Sequence, residues 1–351
     1  MQLGALRWLL FPAAVIYGLI TKLRNLFYDY HIFKAIKVPV PVVAVGNITA
    51  GGTGKTPFVI ALAKFLSEKG YRIAIISRGY RRKSRGTVIV SDGRQILTTP
   101  QQAGDEPFLM AGKLPGVVIV ADADRIAAAH IAIEKFAYNL IIADDAFQHR
   151  RLARDINIVL WDPKTPSWQK HLLPVGRLRE SWHGLKRADY LVFSKTDKII
   201  PEQRTFFEKF NPSIAFFTAP LKIVGLHTLS AENVSISTVA GKNVLAFCGL
   251  GNHSQFETTV RQLNCGKVTF LRFPDHHHYT TTDLQKIIIK AEQMNCDYLV
   301  TTEKDAVNLP VNAGSLAIPL LVIEIELKLS DEIKTAILQR LPPSSISGAD
   351  L

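Results

Sequence analysis

The amino-acid sequence predicts an α/β fold built on parallel sheets, and three observations carry that expectation. Short, strongly apolar runs with few polar interruptions recur along most of the chain, among them GVVIVA, YNLIIA and INIVLW. Strands of this kind are covered on both faces, the condition of a parallel sheet. Segments with apolar residues at helical spacing alternate with them, and a glycine-rich turn joins the first strand to the first of those helices.

The N-terminus stands apart. From Trp8 to Ile20 the chain reads WLLFPAAVIYGLI, and counting from Leu3 only Arg7 interrupts the apolar run. A spanning helix needs roughly 20 apolar residues, so the segment is short for one. Lys22, Arg24, Tyr28 and Tyr30 follow, a basic and aromatic border of the kind found at membrane interfaces. No A-x-A-like cleavage site is present. Residues 1–30 are therefore expected to form one membrane helix that anchors in, or shallowly crosses, a bilayer, with a buried core helix as the alternative. Crossing would leave the main body in the cytoplasm.

Residues 31–211 read as the first α/β domain. The strand VPVPVVAVGN enters the glycine-rich turn, and the helix TPFVIALAKFLSEKG stops at Gly70. YRIAIISRGY, GVVIVADA, YNLIIADD, INIVLWDP and DYLVFSKTD are further strands, and ADRIAAAHIAIEKF is a helix between the second and third of these five. Residues 212–242 are β-branched, broken by polar residues and without a long helix, which suggests a β linker. Alternation resumes over 243–341 as a second, smaller α/β domain, and the Pro- and Ser-rich tail 342–351 is expected to be loose.

The chain of 351 residues is long enough for two cores, and 47% apolar content marks it as globular. Its formal net charge of +12 suits an anionic partner: nucleic acid, an anionic bilayer or a phosphorylated substrate. The absence of a zinc finger, an RNP motif or an aromatic-studded basic stripe argues against nucleic acid, and nothing calls for an obligate protein partner. Cys248, Cys265 and Cys296 form no CxxC pair, and their odd number argues against a disulfide framework and for a reducing compartment.

The strongest chemical signal is Gly51-Gly52-Thr53-Gly54-Lys55-Thr56, between a strand and a helix. Glycines let the backbone aim N–H groups at phosphate oxygens, and the helix N-terminus adds a favourable dipole. Thr49 and Ala50 complete the loop, with Thr49 where the strict pattern has glycine. In such a P-loop Lys55 reaches the β- and γ-phosphates of a nucleotide and Thr56 ligates Mg²⁺. Asp144 and Asp145 end an apolar strand, where acids either organise Mg²⁺ or make a turn or helix cap.

GNITAGGTGKTP (46–57), SRGY (77–80), GDEP (104–107), DDAFQHRRL (144–152), LLPVGRLRE (172–180), FPDHHHY (273–279) and TTEKDAV (301–307), in this order behind an apolar N-terminus, resemble the tetraacyldisaccharide 4'-kinase family. The resemblance covers nearly the whole chain, with Ala146 where the family often has glycine. It implies a P-loop, kinase-like parallel-sheet domain joined by a β linker to a smaller α/β domain, with the site between them. It further implies an inner-membrane enzyme facing the cytoplasm. Such an enzyme passes the γ-phosphate of ATP, with Mg²⁺, to the 4' hydroxyl of an acylated glucosamine disaccharide 1-phosphate in lipid A biosynthesis.

By that resemblance Asp105 of GDEP is the base that takes the hydroxyl proton, and His276 pairs with it across the cleft; a helix cap is the alternative for Asp105. Asp144 and Asp145 are expected at Mg²⁺, with Glu106 as a further member of its shell. Gln148 and His149 would position phosphate or substrate. Arg78 and Arg125 would clamp phosphate through forked guanidinium geometry, Arg179 and Glu180 would complete the cleft, and Tyr80 would lie against nucleotide or sugar. Three consecutive histidines, His276 to His278, do not converge on one metal ion from a regular element. The basic stretch 81–85 reads either as a solvated loop or as an attraction for anionic head groups, the inner-membrane surface included. The main rival is a GTP-dependent regulatory protein or metallochaperone, because Ser194-Lys195-Thr196-Asp197 follows a strand as a guanine-reading motif does; a second, a membrane-bound scaffold that binds nucleotide without chemistry, is opposed by the intact set of Lys55, Thr56, Asp105 and Asp144.

Overall fold

The computed structural model describes residues 8–344 except 137, 311, 312 and 315. The first sheet contains β1 (Val42–Asn47), β2 (Ile73–Ser77), β3 (Val88–Asp92), β4 (Val118–Ala121), β5 (Leu140–Asp144), β6 (Ile156–Trp161), β7 (Tyr190–Ser194) and β8 (Ala215–Ala219). Their spatial order is β3-β4-β2-β5-β1-β6-β7-β8. Every neighbouring pair is parallel except β3 with β4. β1, β2, β4, β5, β6 and β7 are buried at every position, which explains their unbroken apolar runs.

Alternate residues of β1 face opposite layers. Val43 and Val45 pack with Phe58, Val59 and Leu62 of the helix Lys55–Glu68 and with Met110 of the helix Asp105–Lys113. Val42 and Ala44 pack with Ile126, Ala128 and Ala129 of the helix Arg125–Phe136 on the other side. The chain leaves β1 in one direction to β5 and β2 and in the other to β6. The carboxyl end of β1 is thus a topological switch point, where α/β sheets open a crevice for ligands.

The second sheet contains β9 (Leu221–His227), β10 (Asn233–Val234), β11 (Val244–Cys248), β12 (Val268–Arg272), β13 (Tyr298–Thr302) and β14 (Leu320–Leu327), in the order β10-β9-β14-β13-β11-β12. β14, β13, β11 and β12 are parallel, and β9 runs antiparallel to β14 and β10. The helices His253–Arg261 and Thr281–Gln293 cover its two faces.

Two features depart from the sequence reading of the segments. The stretch 212–242 is shared between the sheets: β8 closes the edge of the first, β9 and β10 enter the second, and only Pro220 separates β8 from β9. The end of the second α/β segment also returns to the first core. Leu327, Leu329, Ile333, Ile337 and Leu341 pack in the same cluster as Val43 and Leu62. An amphipathic helix announces that one face is buried but not which core buries it. Of the tail, residues 345–351 lie outside the described residues.

The N-terminal segment is helical from Phe11 to Asp29. Among the described residues no helix is long and apolar enough to cross a membrane, so a crossing helix is not what the structure holds. The reason is local: the apolar run ends at Ile20, and Lys22, Arg24, Asn25 and Asp29 occupy the second half of the helix. Ala14 is its one buried residue, while Trp8, Leu9, Leu10, Phe11, Val15, Ile16, Leu19, Ile20, Leu23 and Leu26 are exposed in and just before it.

Because Ile337 is fully buried in the first core, Ile337→Ala should lower unfolding free energy by about 2–5 kcal/mol in chemical denaturation. A midpoint unchanged from wild type would show that the C-terminal helix lies outside that core.

Candidate active site

A cleft of about 1170 Å³ opens at the carboxyl end of β1, between the two sheets. The helix Lys55–Glu68 begins at its floor without a side-chain cap, leaving its first backbone N–H groups for another acceptor. Gly54 caps that helix at φ 84°, a left-handed geometry that favours glycine. At Gly51 a Cβ would sit 2.8 Å from Nη1 of Arg177, whose carbonyl oxygen also accepts from Ala50 N at 2.6 Å. The loop 167–178 therefore braces the glycine-rich turn. Ala50 to Thr56 all line the cleft, whereas Thr49 is buried behind it and bridges to Leu178.

Lys55 Nζ donates to Asn47 Oδ1 at 3.2 Å and lies 3.5 Å from Asp145 Oδ1. Arg179 Nη1 donates to the same carboxylate oxygen at 2.7 Å. Burial works to raise the Asp145 carboxyl, but the Lys55 and Arg179 charges outweigh it and hold it well below the usual range. Asp145 takes a left-handed φ of 46°, so the two adjacent acids point to different surroundings. Ala146 lies outside that region, so the place where the family often has glycine tolerates alanine here.

Asp144 is almost fully buried. Ser77 Oγ donates to its Oδ2 at 2.9 Å, while Oδ1 is buried with no hydrogen-bond partner. Burial, followed by repulsion from Glu106 and Asp145, pushes its carboxyl up to about 7. An orphaned oxygen among like charges is the signature of a place that accepts a cation. Among the described residues no three His, Cys, Asp or Glu side chains are arranged to enclose a metal on their own. Mg²⁺ asks for less, since it keeps several waters and takes one or two carboxylates together with phosphate oxygens. The residues present fit that ion.

Asp105 opens the helix Asp105–Lys113 and is buried. His276 Nδ1 meets its Oδ2 at 2.8 Å, a contact between residues 171 apart in sequence. Burial alone would raise the Asp105 carboxyl; hydrogen bonds from His276 and Asn308 and the charges of His276 and Lys304 reverse this and hold it below its ordinary value. His276 has a left-handed φ of 58°, and its N–H donates to Gly249 O at 3.1 Å.

Arg78, Tyr80, Glu106, Arg125, Gln148, His149 and Arg179 also line the cleft. Several are already engaged. Arg125 donates to the backbone oxygens of Asp122 and Asp144, at 2.9 and 3.3 Å. Gln148 Nε2 donates to Asn47 O at 2.9 Å and to Glu180 Oε1 at 3.1 Å, so it ties β1 to the 180 region. Burial, then the charges of Arg125 and Arg154, lowers His149 to about 4, which leaves it a neutral imidazole near pH 7. Glu180 does not reach the cleft; it is buried and accepts from Arg187, Gln148 and Asn25. Asn25, Arg24 and Tyr17 fasten the N-terminal helix to Glu180 Oε2, Gln148 O and Arg179 O.

Sequence reasoning gave no role to Arg177, Ser77, Asn308 or Lys304, although each falls in or beside a quoted motif. Lys195 was read only as a nucleotide-specificity signal. Its Nζ donates to Gly52 O at 2.6 Å, to Asp162 Oδ2 at 2.9 Å and to Gln255, clasping the glycine-rich turn to the second sheet's helix.

Residues 6–342 match the sequence profile of the family described as LpxK, tetraacyldisaccharide-1-P 4'-kinase. A tetraacyldisaccharide 4'-kinase of Halothermothrix orenii is 41% identical over 308 residues, 83% of this chain and 80% of that protein. Another, from Syntrophus aciditrophicus, is 38% identical over 324 residues, 88% of this chain and 86% of that one. The solved structure of Aquifex aeolicus LpxK in complex with ATP is 34% identical and superposes with a TM-score of 0.76, covering 96% of this chain and 100% of that one. A match that runs through both sheets and through each segment that builds the cleft places this chain in the tetraacyldisaccharide 4'-kinase family.

Proposed function

We propose that this chain transfers the γ-phosphate of ATP to the 4' hydroxyl of an acylated glucosamine disaccharide 1-phosphate, a step of lipid A biosynthesis. One observation carries the residue assignment: Lys55, at an uncapped helix N-terminus, and His276, joined to Asp105, line the same cleft. The glycine-rich turn 51–56 is the P-loop in this reading. Its backbone N–H groups and Lys55 hold the nucleotide's phosphates. Asp145 and Asn47 keep the Lys55 ammonium in place before nucleotide arrives.

Thr56 and Asp144 would hold Mg²⁺, with Glu106 behind them; Asp145 is taken by Lys55 and Arg179 and is left out of that set. When bound, the ion neutralises charge on the phosphate oxygens. Asp105 accepts the proton of the attacking hydroxyl as the new O–P bond forms and the bond to the leaving ADP breaks. Arg78 and Arg125 supply positive charge at the cleft wall. The GTP-dependent reading is not favoured, because Lys195 already clasps Gly52, Asp162 and Gln255 and because the chain's family is a kinase family.

The proposal includes location: the N-terminal helix lies on the inner membrane, and the active site faces the cytoplasm. Its support is the exposed apolar side chains from Trp8 to Leu26, together with Lys22 and the basic stretch 81–85. Flotation with anionic liposomes should be strong for wild type and nearly lost for Leu19→Glu with Ile20→Glu; equal flotation of both would remove the helix from membrane binding.

With ATP, Mg²⁺ and tetraacyl disaccharide 1-phosphate in mixed micelles, wild type should yield a lipid one phosphate heavier. Asp105→Ala should cut that rate by about 10²–10⁴-fold while ATP still binds. No product from folded, ATP-binding wild type would overturn the activity itself.

The raised Asp144 carboxyl sets a second expectation. Its folded value near 7 exceeds the ordinary value of 3.8, so its contribution to stability is complete below pH ~4 and is lost as pH rises through about 7. The melting temperature of metal-free protein should fall across that window, and Asp144→Asn should flatten the slope. An unchanged slope in the variant would place the titration elsewhere.

A further inference from the structure

The loop that follows β6 holds Lys164, Lys170, His171, Arg177 and Arg179, and from Pro163 to Arg179 it contains no acidic residue. Its two arms are bonded to each other. Arg177 N donates to Gln169 O at 3.0 Å, Leu178 N to His171 O at 2.8 Å and Gly176 N to Leu172 O at 2.9 Å. Trp168 stands on the single 3₁₀ turn Ser167–Lys170, is 39% exposed, and has the Arg177 guanidinium 5.8 Å from its ring. Lys170 lies over the Trp161 ring at 5.8 Å, which leaves Lys164 as the exposed lysine of the loop.

This loop lies against the N-terminal helix. His171 meets the Trp8 ring edge-on at 5.7 Å. A Cβ at Gly18 would come 2.8 Å from Leu172 Cδ1, so glycine is what permits the close approach there. The exposed side of the loop, with Lys164, Pro166, Trp168, His171 and Pro174, therefore adjoins the exposed apolar side of the helix.

We propose that this loop is a second membrane contact, with the Trp168 indole at the head-group level of an anionic bilayer and Lys164 facing its lipid phosphates. This rests on the reading of the N-terminal helix as lying on the membrane. Continuity with that helix is one support, and charge is the other. An indole has an apolar body and a polar N–H, which suits the boundary between acyl chains and water. A run of cationic side chains without an acid suits a negative lipid surface. The bonded arms present Trp168 in a set position, so little ordering is left to do on contact.

The test is the surroundings of Trp168 on vesicles of phosphatidylglycerol and phosphatidylcholine whose acyl chains carry bromine, a short-range quencher, near the glycerol. The full chain is used as Trp8→Phe, which removes the helix's own reporter and keeps it apolar. Of the chain's four tryptophans, Trp161 is buried and Trp182 is half-buried against it, so Trp168 is the exposed indole that remains. On these vesicles the emission of Trp8→Phe should fall and move to shorter wavelength, and Trp8→Phe with Trp168→Phe should show neither change. In flotation, Trp168→Ser should weaken partition about tenfold. Lys164→Gln should weaken it about fivefold on anionic vesicles and by about twofold or less on phosphatidylcholine alone. Equal quenching of the two proteins would overturn the proposal, even if Trp168→Ser fails to fold. So would a folded Trp168→Ser that partitions as wild type does. Wild type that does not float at all would remove the membrane reading and this contact with it, whereas wild type that floats while Trp168 stays unquenched would remove this contact alone.

Discussion

The contact between His276 and Asp105 exists only while the second sheet is held over the first, and the rest of the site is arranged around that condition. Asp105 begins a helix packed on the first sheet, and His276 sits in a turn of the second. Two chain crossings make the junction: β8 to β9 through Pro220, and β14 to the C-terminal helix, with Lys328 N bonded to Pro220 O at 2.9 Å. Leu327 and Leu329 lock the second crossing into the first core. Around the junction Lys113 pairs with Glu303 and Glu324, Lys64 pairs with Glu326, and Lys195 reaches Gln255. The two Lys113 pairs are partly buried charges whose partners lie on the opposite unit, so separating the units strands them.

Within the cleft the charges are set before any ligand arrives. Lys55 and Arg179 meet on Asp145, while Asp144, one residue away, keeps a buried oxygen without a partner. The left-handed backbone at Asp145 is what separates the two carboxylates into these roles. Arg125 lies behind them, its basicity pulled down to about 10 by burial against the attraction of Asp144 and Asp145. Groups fixed in this way need little reorganisation as charge develops on a transferring phosphoryl group, and that is where electrostatic catalysis gains most.

Much of this was legible in the sequence because it is local. A strand, three glycines, Lys55 and Thr56 specify a turn and a helix start within one short window, and the buried runs specify a parallel sheet. The motif order gave the Asp105–His276 pairing through family resemblance; neither residue shows it alone. What stayed hidden depends on contacts between distant segments. Asp144 and Asp145 are the same residue type side by side, and only the left-handed backbone at Asp145 sends them to different partners. Glu180 looks like a cleft acid in the string LRE, yet its oxygens serve Arg187, Gln148 and the N-terminal helix. Lys195 and Lys304 are ordinary lysines until the fold brings Gly52 and His276 to them. The C-terminal helix has a legible apolar face, but only the chain crossing at Leu327 decides that this face joins the first core.

The N-terminal helix shows how one element can serve two surfaces. Tyr17, Thr21 and Arg24 line the cleft, while Ile16, Leu19, Ile20 and Leu23 face outward. Residues three and four apart share a helix face, so rotating the helix would move both sets together. Its orientation is fixed by polar contacts to Arg179 O, Gln148 O and Glu180, and Arg179 is the residue that holds Asp145. In the proposed reading, a bilayer that seats the outward face also sets the height of the cleft mouth above the lipid surface.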